Sequence, residues 1–94
     1  MRYIDVQWRH EDGNDPIRLV SELDDDRSEV RKLEFYADGR IGFASQTESS
    51  GDTRLGEGAV PSLSEINSDR QFVGVEIEAT AFEKLWTKNV RPGT

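Results

Sequence analysis

Apolar residues alternate with polar ones from the first positions of the chain. In residues 2–9, Ile4, Val6 and Trp8 fall on one face and Tyr3, Asp5, Gln7 and Arg9 on the other, the pattern of a half-buried strand. Residues 17–23, IRLVSEL, repeat it with Ile17, Leu19 and Leu23. Between the two, HEDGNDP reads as a turn, with Asp12-Gly13 at the bend and Asp15-Pro16 at the exit. The most informative stretch is EVRKLEFYADGRIGFAS, Glu29 to Ser45. Two runs of strand formers meet there at Ala37-Asp38-Gly39-Arg40, and Asp-Gly at the centre of a short connection marks a β-hairpin, because Gly accepts the positive φ of a tight turn. A helix over SELDDDRSEVRKLEFY competes with this reading. Three adjacent Asp are poor helix formers, and EFY before Asp-Gly favours a strand.

Beyond the hairpin the period is lost. Residues 46–61, QTESSGDTRLGEGAVP, predict a long loop without regular structure, a feature that in small domains is usually functional or mobile. Ser62-Leu63-Ser64-Glu65 has the form of a capping box and predicts a short helix with Leu63 and Ile66 facing inward. QFVGVEIEA, 71–79, predicts the last strand, with Val73, Val75, Ile77 and Ala79 on one face. Thr80-Ala81-Phe82-Glu83 is a second candidate capping box. It opens a helix to about Val90 whose Phe82, Leu85, Trp86 and Val90 share a face, and Pro92 bars continuation. The order β-β-β-β-α-β-α implies an α+β fold: an antiparallel sheet of about five strands with the C-terminal helix packed on one face. Residues 1–94 are expected to form a single domain.

Composition narrows the chemistry. The chain has no cysteine, which excludes disulfides and thiolate metal sites. No apolar run approaches the roughly 18–20 residues of a membrane span, and the N-terminus alternates like a strand instead of carrying a secretion signal. A cytoplasmic location is the expectation. Nineteen acids against twelve bases give a net charge of −7, unfavourable for gripping a phosphate backbone and favourable for steering a basic partner. Acidity of this kind also serves solubility alone.

Candidate catalytic chemistry is thin. His10, the only histidine, stands beside Glu11 and Asp12 without a nucleophile at a recognisable spacing. A calcium-binding loop starting at Asp12 lacks the required acids at Pro16 and Leu23. The carboxylates of Asp24, Asp25 and Asp26 diverge, as adjacent side chains in a strand or tight turn do. Gly56-Glu57-Gly58 lacks the third glycine of a phosphate loop, with Pro61 in its place. The expectation is a protein with no catalytic residues, no metal and no cofactor.

The charge distribution is more telling. From Glu11 to Asp26 there are seven acids and one base, Arg18. If strands 2–9 and 17–23 pair as neighbours, Glu11, Asp12 and Asp15 lie at one end of the sheet and Asp24, Asp25 and Asp26 at the other. These six are the candidate partner-binding residues, and the sequence does not choose between the two poles. Glu29, Arg31 and Lys32 also suit cross-strand ion pairs that fix register.

The block S-E-L-D-D-D-R, E-V-R-K and D-G-R-I-G-F-A resembles a family of small bacterial domains of unknown function. The resemblance extends to Tyr3, Ile4, Val6 and Trp8 and to Pro61-Ser62-Leu63-Ser64-Glu65-Ile66-Asn67, and so covers most of the chain. It brings no catalytic or binding residues with it. It implies an association with polymorphic-toxin and immunity loci, and hence a small acidic inhibitor of a basic toxin or nuclease domain. Direct contact with nucleic acid or membrane is not expected. Two alternatives stand beside it: a small-ligand or enzymatic domain using 46–61 as a lid, and an inhibitor whose carboxylates imitate nucleic-acid phosphates.

Overall fold

The computed structural model describes residues 1–90. The hairpin is where the sequence places it. Strands β3 (Glu29–Phe35) and β4 (Ile41–Ala44) pair antiparallel around a turn in which Gly39 has φ +93°. Tyr36 N donates to Arg40 O at 2.9 Å, and Asp38 closes the bend by accepting from Arg40 N at 3.0 Å and pairing with its Nε at 2.7 Å.

Strands β1 (Arg2–Trp8) and β2 (Arg18–Leu23) precede the hairpin, and β5 (Phe72–Ile77) follows it. All neighbours are antiparallel, in the order β4-β3-β2-β1-β5, so β2 is central. The strand reading of Ser21–Tyr36 therefore prevails over the helical one. Two helices complete the chain, α1 (Leu63–Asn67) and α2 (Ala79–Asn89), giving the expected α+β element order. Among the described residues no helix is long and apolar enough to cross a membrane.

Both faces of the sheet are covered, by different elements. On one, α2 lays Phe82 against Val20 and Leu33, with Tyr3, Phe43, Ile77, Leu85 and Trp86 packed around them. On the other, Ile4, Val6 and Leu23 form a second cluster under Val60, Leu63, Ile66 and Phe72. Period-2 alternation identified Ile4 and Val6 as one side of β1, and that side belongs to α1. The C-terminal helix takes the opposite side, where the Tyr3 and Phe82 rings meet at a tilt, 5.2 Å apart.

Three local expectations change. Thr80 does not cap α2: the helix starts directly after β5, with Glu78 at the N-cap and no side-chain cap bond, so Thr80 is already inside the first turn. Ser62 caps α1 by accepting from Glu65 N at 3.2 Å, but the Glu65 carboxylate returns to the Ser62 hydroxyl instead of its backbone N–H. Val73 and Val75 share a face with Ile77 as expected, yet stay 38% and 52% exposed, because α2 crosses toward Val20 and Phe43 and away from β5. Val90 caps α2, while Pro92, expected to bar continuation, lies outside the described residues.

Candidate functional site

The two groups of candidate carboxylates lie at opposite ends of β2 and do not come together. At one end, His10 organises the β1–β2 loop. Its Nε2 donates to Pro16 O at 2.8 Å while Nδ1 accepts from Asp12 N at 3.0 Å. Both ring nitrogens are thereby engaged, and the imidazole edge rests on Trp8 at 4.5 Å. Asp12 in turn accepts from Asn14 N at 2.9 Å. Glu11 and Asp12 are exposed and Asp15 is half-buried.

At the other end the three Asp residues divide their work. Asp24 Oδ1 accepts from the N–H groups of Asp26 and Ser28, both at 2.9 Å, and so shapes the β2–β3 turn. Asp25 and Asp26 are exposed. Arg27 sits in the left-handed region at φ +61° and sends its guanidinium to Val60 O at 2.8 Å and Pro61 O at 2.7 Å. Those two bonds, with Val60 N to Arg27 O at 2.8 Å, draw the end of the long loop across the sheet and set where α1 begins.

Residues 46–61 have no helix or strand, yet they are tied down. Ser50 exchanges bonds with the Phe43 backbone, Thr53 Oγ1 donates to Glu34 Oε1 at 2.9 Å, and Gly56 N donates to Glu29. Thr53 is 3% exposed. It fits because β4 carries Gly42 beneath it, where a Cβ would overlap Thr53 Oγ1. Gly42→Ala is therefore expected to expel Thr53, costing about 1–3 kcal/mol by overpacking. Urea denaturation and limited proteolysis check this; cleavage within 46–61 at the wild-type rate would show that Thr53 does not hold the loop.

The loop covers β3 and β4, and α1 covers β5 and β1, where Asn67 clasps Gly74 through both backbone groups at 2.9 and 2.6 Å. Between them a groove of about 400 Å³ remains open over β2. Its floor is Ile4, Val6, Leu19 and Ser21, and carboxylates of Glu29, Glu65 and Asp69 stand around it. Glu29 is partly neutralised by Lys32 Nζ at 3.2 Å, whereas Glu65 and Asp69 are exposed. None of these groove residues was among the six carboxylates picked from the sequence. In the sequence Glu65 signals a helix cap and Ser21 a strand position or the cap of the competing helix, and neither signals a groove.

The opposite face holds the tightest electrostatic cluster. Arg31 grips Glu22 through Nε at 2.6 Å and Nη2 at 3.1 Å and reaches Glu83 at 2.7 Å, while Tyr3 Oη donates to Glu22 at 2.8 Å. Arg31 holds the Glu22 carboxyl below the usual glutamate range, helped by Tyr3 and opposed by burial. The Tyr3 phenol is pushed up, first by its bond to Glu22. This cluster is closed by its own members and locks α2 to the sheet. Among the described residues no group of three or more potential ligands could hold a metal ion.

A family model described as "Domain of unknown function (DUF6881)" matches residues 2–91. The chain belongs to this family. No curated protein and no solved structure matches it. The block of residues that carried the resemblance now has a structural meaning in this DUF6881 domain. Asp24 and Arg27 build the turn that anchors the loop, Arg31 and Lys32 face opposite sides of β3 into separate ion pairs, and Asp38-Gly39-Arg40 closes the hairpin.

Proposed function

We propose that this DUF6881 protein is a non-enzymatic interaction protein of the bacterial cytoplasm, an immunity-type inhibitor that binds a basic toxin or nuclease domain through acidic surface. The observation that carries the reading is how the fold uses its cations. Arg2, Arg18, Arg31, Lys32 and Arg40 pair with carboxylates of the same chain, and Arg27 and Arg54 bind backbone carbonyls. Much of the positive charge is thereby used in internal ties, with Arg9, Arg70, Lys84 and Lys88 exposed, while Glu11, Asp12, Asp25, Asp26, Glu65 and Asp69 are exposed on the acidic side of the balance. A net charge of −7 is thus projected outward, which accelerates encounter with a basic partner and discourages acidic ones. The engagement of both His10 nitrogens argues for binding over acid–base chemistry. The ties at Thr53 and Gly56 argue against 46–61 acting as a lid over a small ligand.

The test is capture on the immobilised protein from source-cell extract at low and high salt, with the bound proteins identified by mass. A basic protein held at low salt and released at high salt is expected. Asp25→Asn with Asp26→Asn, and separately Glu11→Gln with Asp12→Asn, then identify the pole. The pole that faces the partner should lose about 2–10-fold in association rate, and Asp24 is left intact because it holds the turn. Capture indifferent to salt and to both pairs would sink the electrostatic mechanism.

A further inference from the structure

The groove over β2 contains an unusual floor residue. Ser21 lies mid-strand on the central strand, 4% exposed, among Ile4, Val6 and Leu19. Its hydroxyl makes no hydrogen bond among the described residues, although no fully occluded side-chain nitrogen or oxygen there lacks a partner. The hydroxyl therefore opens into the groove. Because the rest of the residue is buried, this hydroxyl can meet only what enters the groove, water or a polar group of a ligand. A ligand that reaches the floor displaces that water and must offer the hydroxyl a partner in its place, which favours a segment with a backbone amide or carbonyl there.

Resting on the acidic-surface reading, we propose that this groove is the docking site for one short segment of the basic partner. An apolar side chain of the segment sits on Ile4, Val6 and Leu19, its backbone exchanges a hydrogen bond with Ser21 Oγ, and flanking Lys or Arg side chains meet Glu65 and Asp69. Charge complementarity selects the flanks and the apolar floor selects the centre. A groove of about 400 Å³ accepts a few side chains, which suits a short peptide segment. The arrangement also gives the charged surface a fixed register: the acids of the pole that faces the partner steer it, and the groove decides what stays.

The probe is a blocked heptapeptide with leucine at its centre and lysines on either side, titrated into ¹⁵N-labelled protein. Controls replace the leucine with serine or the lysines with glutamate, and spermine stands for a free small cation. The leucine–lysine peptide is expected to shift the amides of Ile4, Val6, Leu19 and Ser21, and none of the three controls to do so. Ser21→Leu fills the floor and should reduce affinity at least tenfold while the protein stays folded. Glu65→Gln with Asp69→Asn keeps the N-cap and turn acceptors, and should weaken binding about threefold to tenfold at low salt. Shifts confined to surfaces outside the groove, equal binding to Ser21→Leu, or the same shifts from spermine each overturn the proposal. The two failures separate. A captured basic partner that binds Ser21→Leu as well as wild type removes the groove and leaves the acidic-surface reading. Groove occupancy by the peptide with no salt-sensitive partner in extract removes that reading instead.

Discussion

Replacing Arg31 with alanine is expected to destabilise the protein by about 3–5 kcal/mol, because it strands a buried partner charge. A domain of this size has only about 5–14 kcal/mol in total at typical per-residue stability, so the variant should be near its unfolding transition. The partner is Glu22, whose side chain is 8% exposed and would retain only the Tyr3 hydroxyl at 2.8 Å. The same change uncovers Phe82 and Trp86, whose rings lie 4.9 and 5.0 Å from the guanidinium carbon. Glu22 has its folded pKa depressed by Arg31, so this interaction stabilises above the ordinary glutamate value and is lost as pH falls through the lower folded value. The gap between wild type and Arg31→Ala should accordingly narrow on acidification below about pH 4.3, where an unpaired glutamate takes up its proton. Urea unfolding across that range checks both points. A loss under about 1 kcal/mol with no pH dependence would mean the pair behaves as an exposed one.

The strands, the hairpin and both helices could be read from the sequence because their signals are local. Alternation places Ile4 and Val6 together, Asp38-Gly39 needs no distant partner, and the 3.6-residue spacing of Phe82, Leu85 and Trp86 marks the face of α2 that packs inward. The element order and the separation of the acids into two poles followed from these signals, whereas the place of β5 beside β1 rests on a pairing distant in sequence. What alternation does not carry is which element covers which side of a strand. Tyr3 and Val73 look alike as members of a strand face, but α2 crosses to cover the first and leaves the second exposed. The long loop was opaque for another reason. Its order depends on Thr53 meeting Glu34 and Gly56 meeting Glu29, contacts far apart in sequence that impose no period on the loop. The same holds for Arg27, whose reach to Val60 and Pro61 creates one wall of the groove. At Asp24 the sequence marks a polar turn and a charge, and only the structure shows that its oxygen is the acceptor that shapes the turn.

Phe82→Ala should cost as much as the loss of Arg31, about 3–5 kcal/mol for a large aromatic removed from a packed core. Phe82 is fully buried, touches the cluster of Val20 and Leu33, meets the Tyr3 ring in a tilted contact at 5.2 Å and stacks on Trp86 at 6.0 Å. Its removal leaves a cavity between α2 and the sheet, and the helix has no side-chain cap of its own to hold it helical when undocked. At eleven residues α2 is too short to persist alone in water, so undocking and melting are one event. Phe82→Leu should cost markedly less, since it retains most of the apolar contact. Fluorescence during urea unfolding, recorded in a Trp8→Phe background so that Trp86 is the only indole, reports the helix side. The two large effects are not independent, because the Arg31 guanidinium lies on the Phe82 ring. The double variant should therefore fall short of the sum of the single losses, with a coupling of about 0.5–3 kcal/mol expected for residues in contact. Full additivity would show that the ring and the guanidinium support α2 separately, and that Arg31 acts through Glu22 and Glu83 alone.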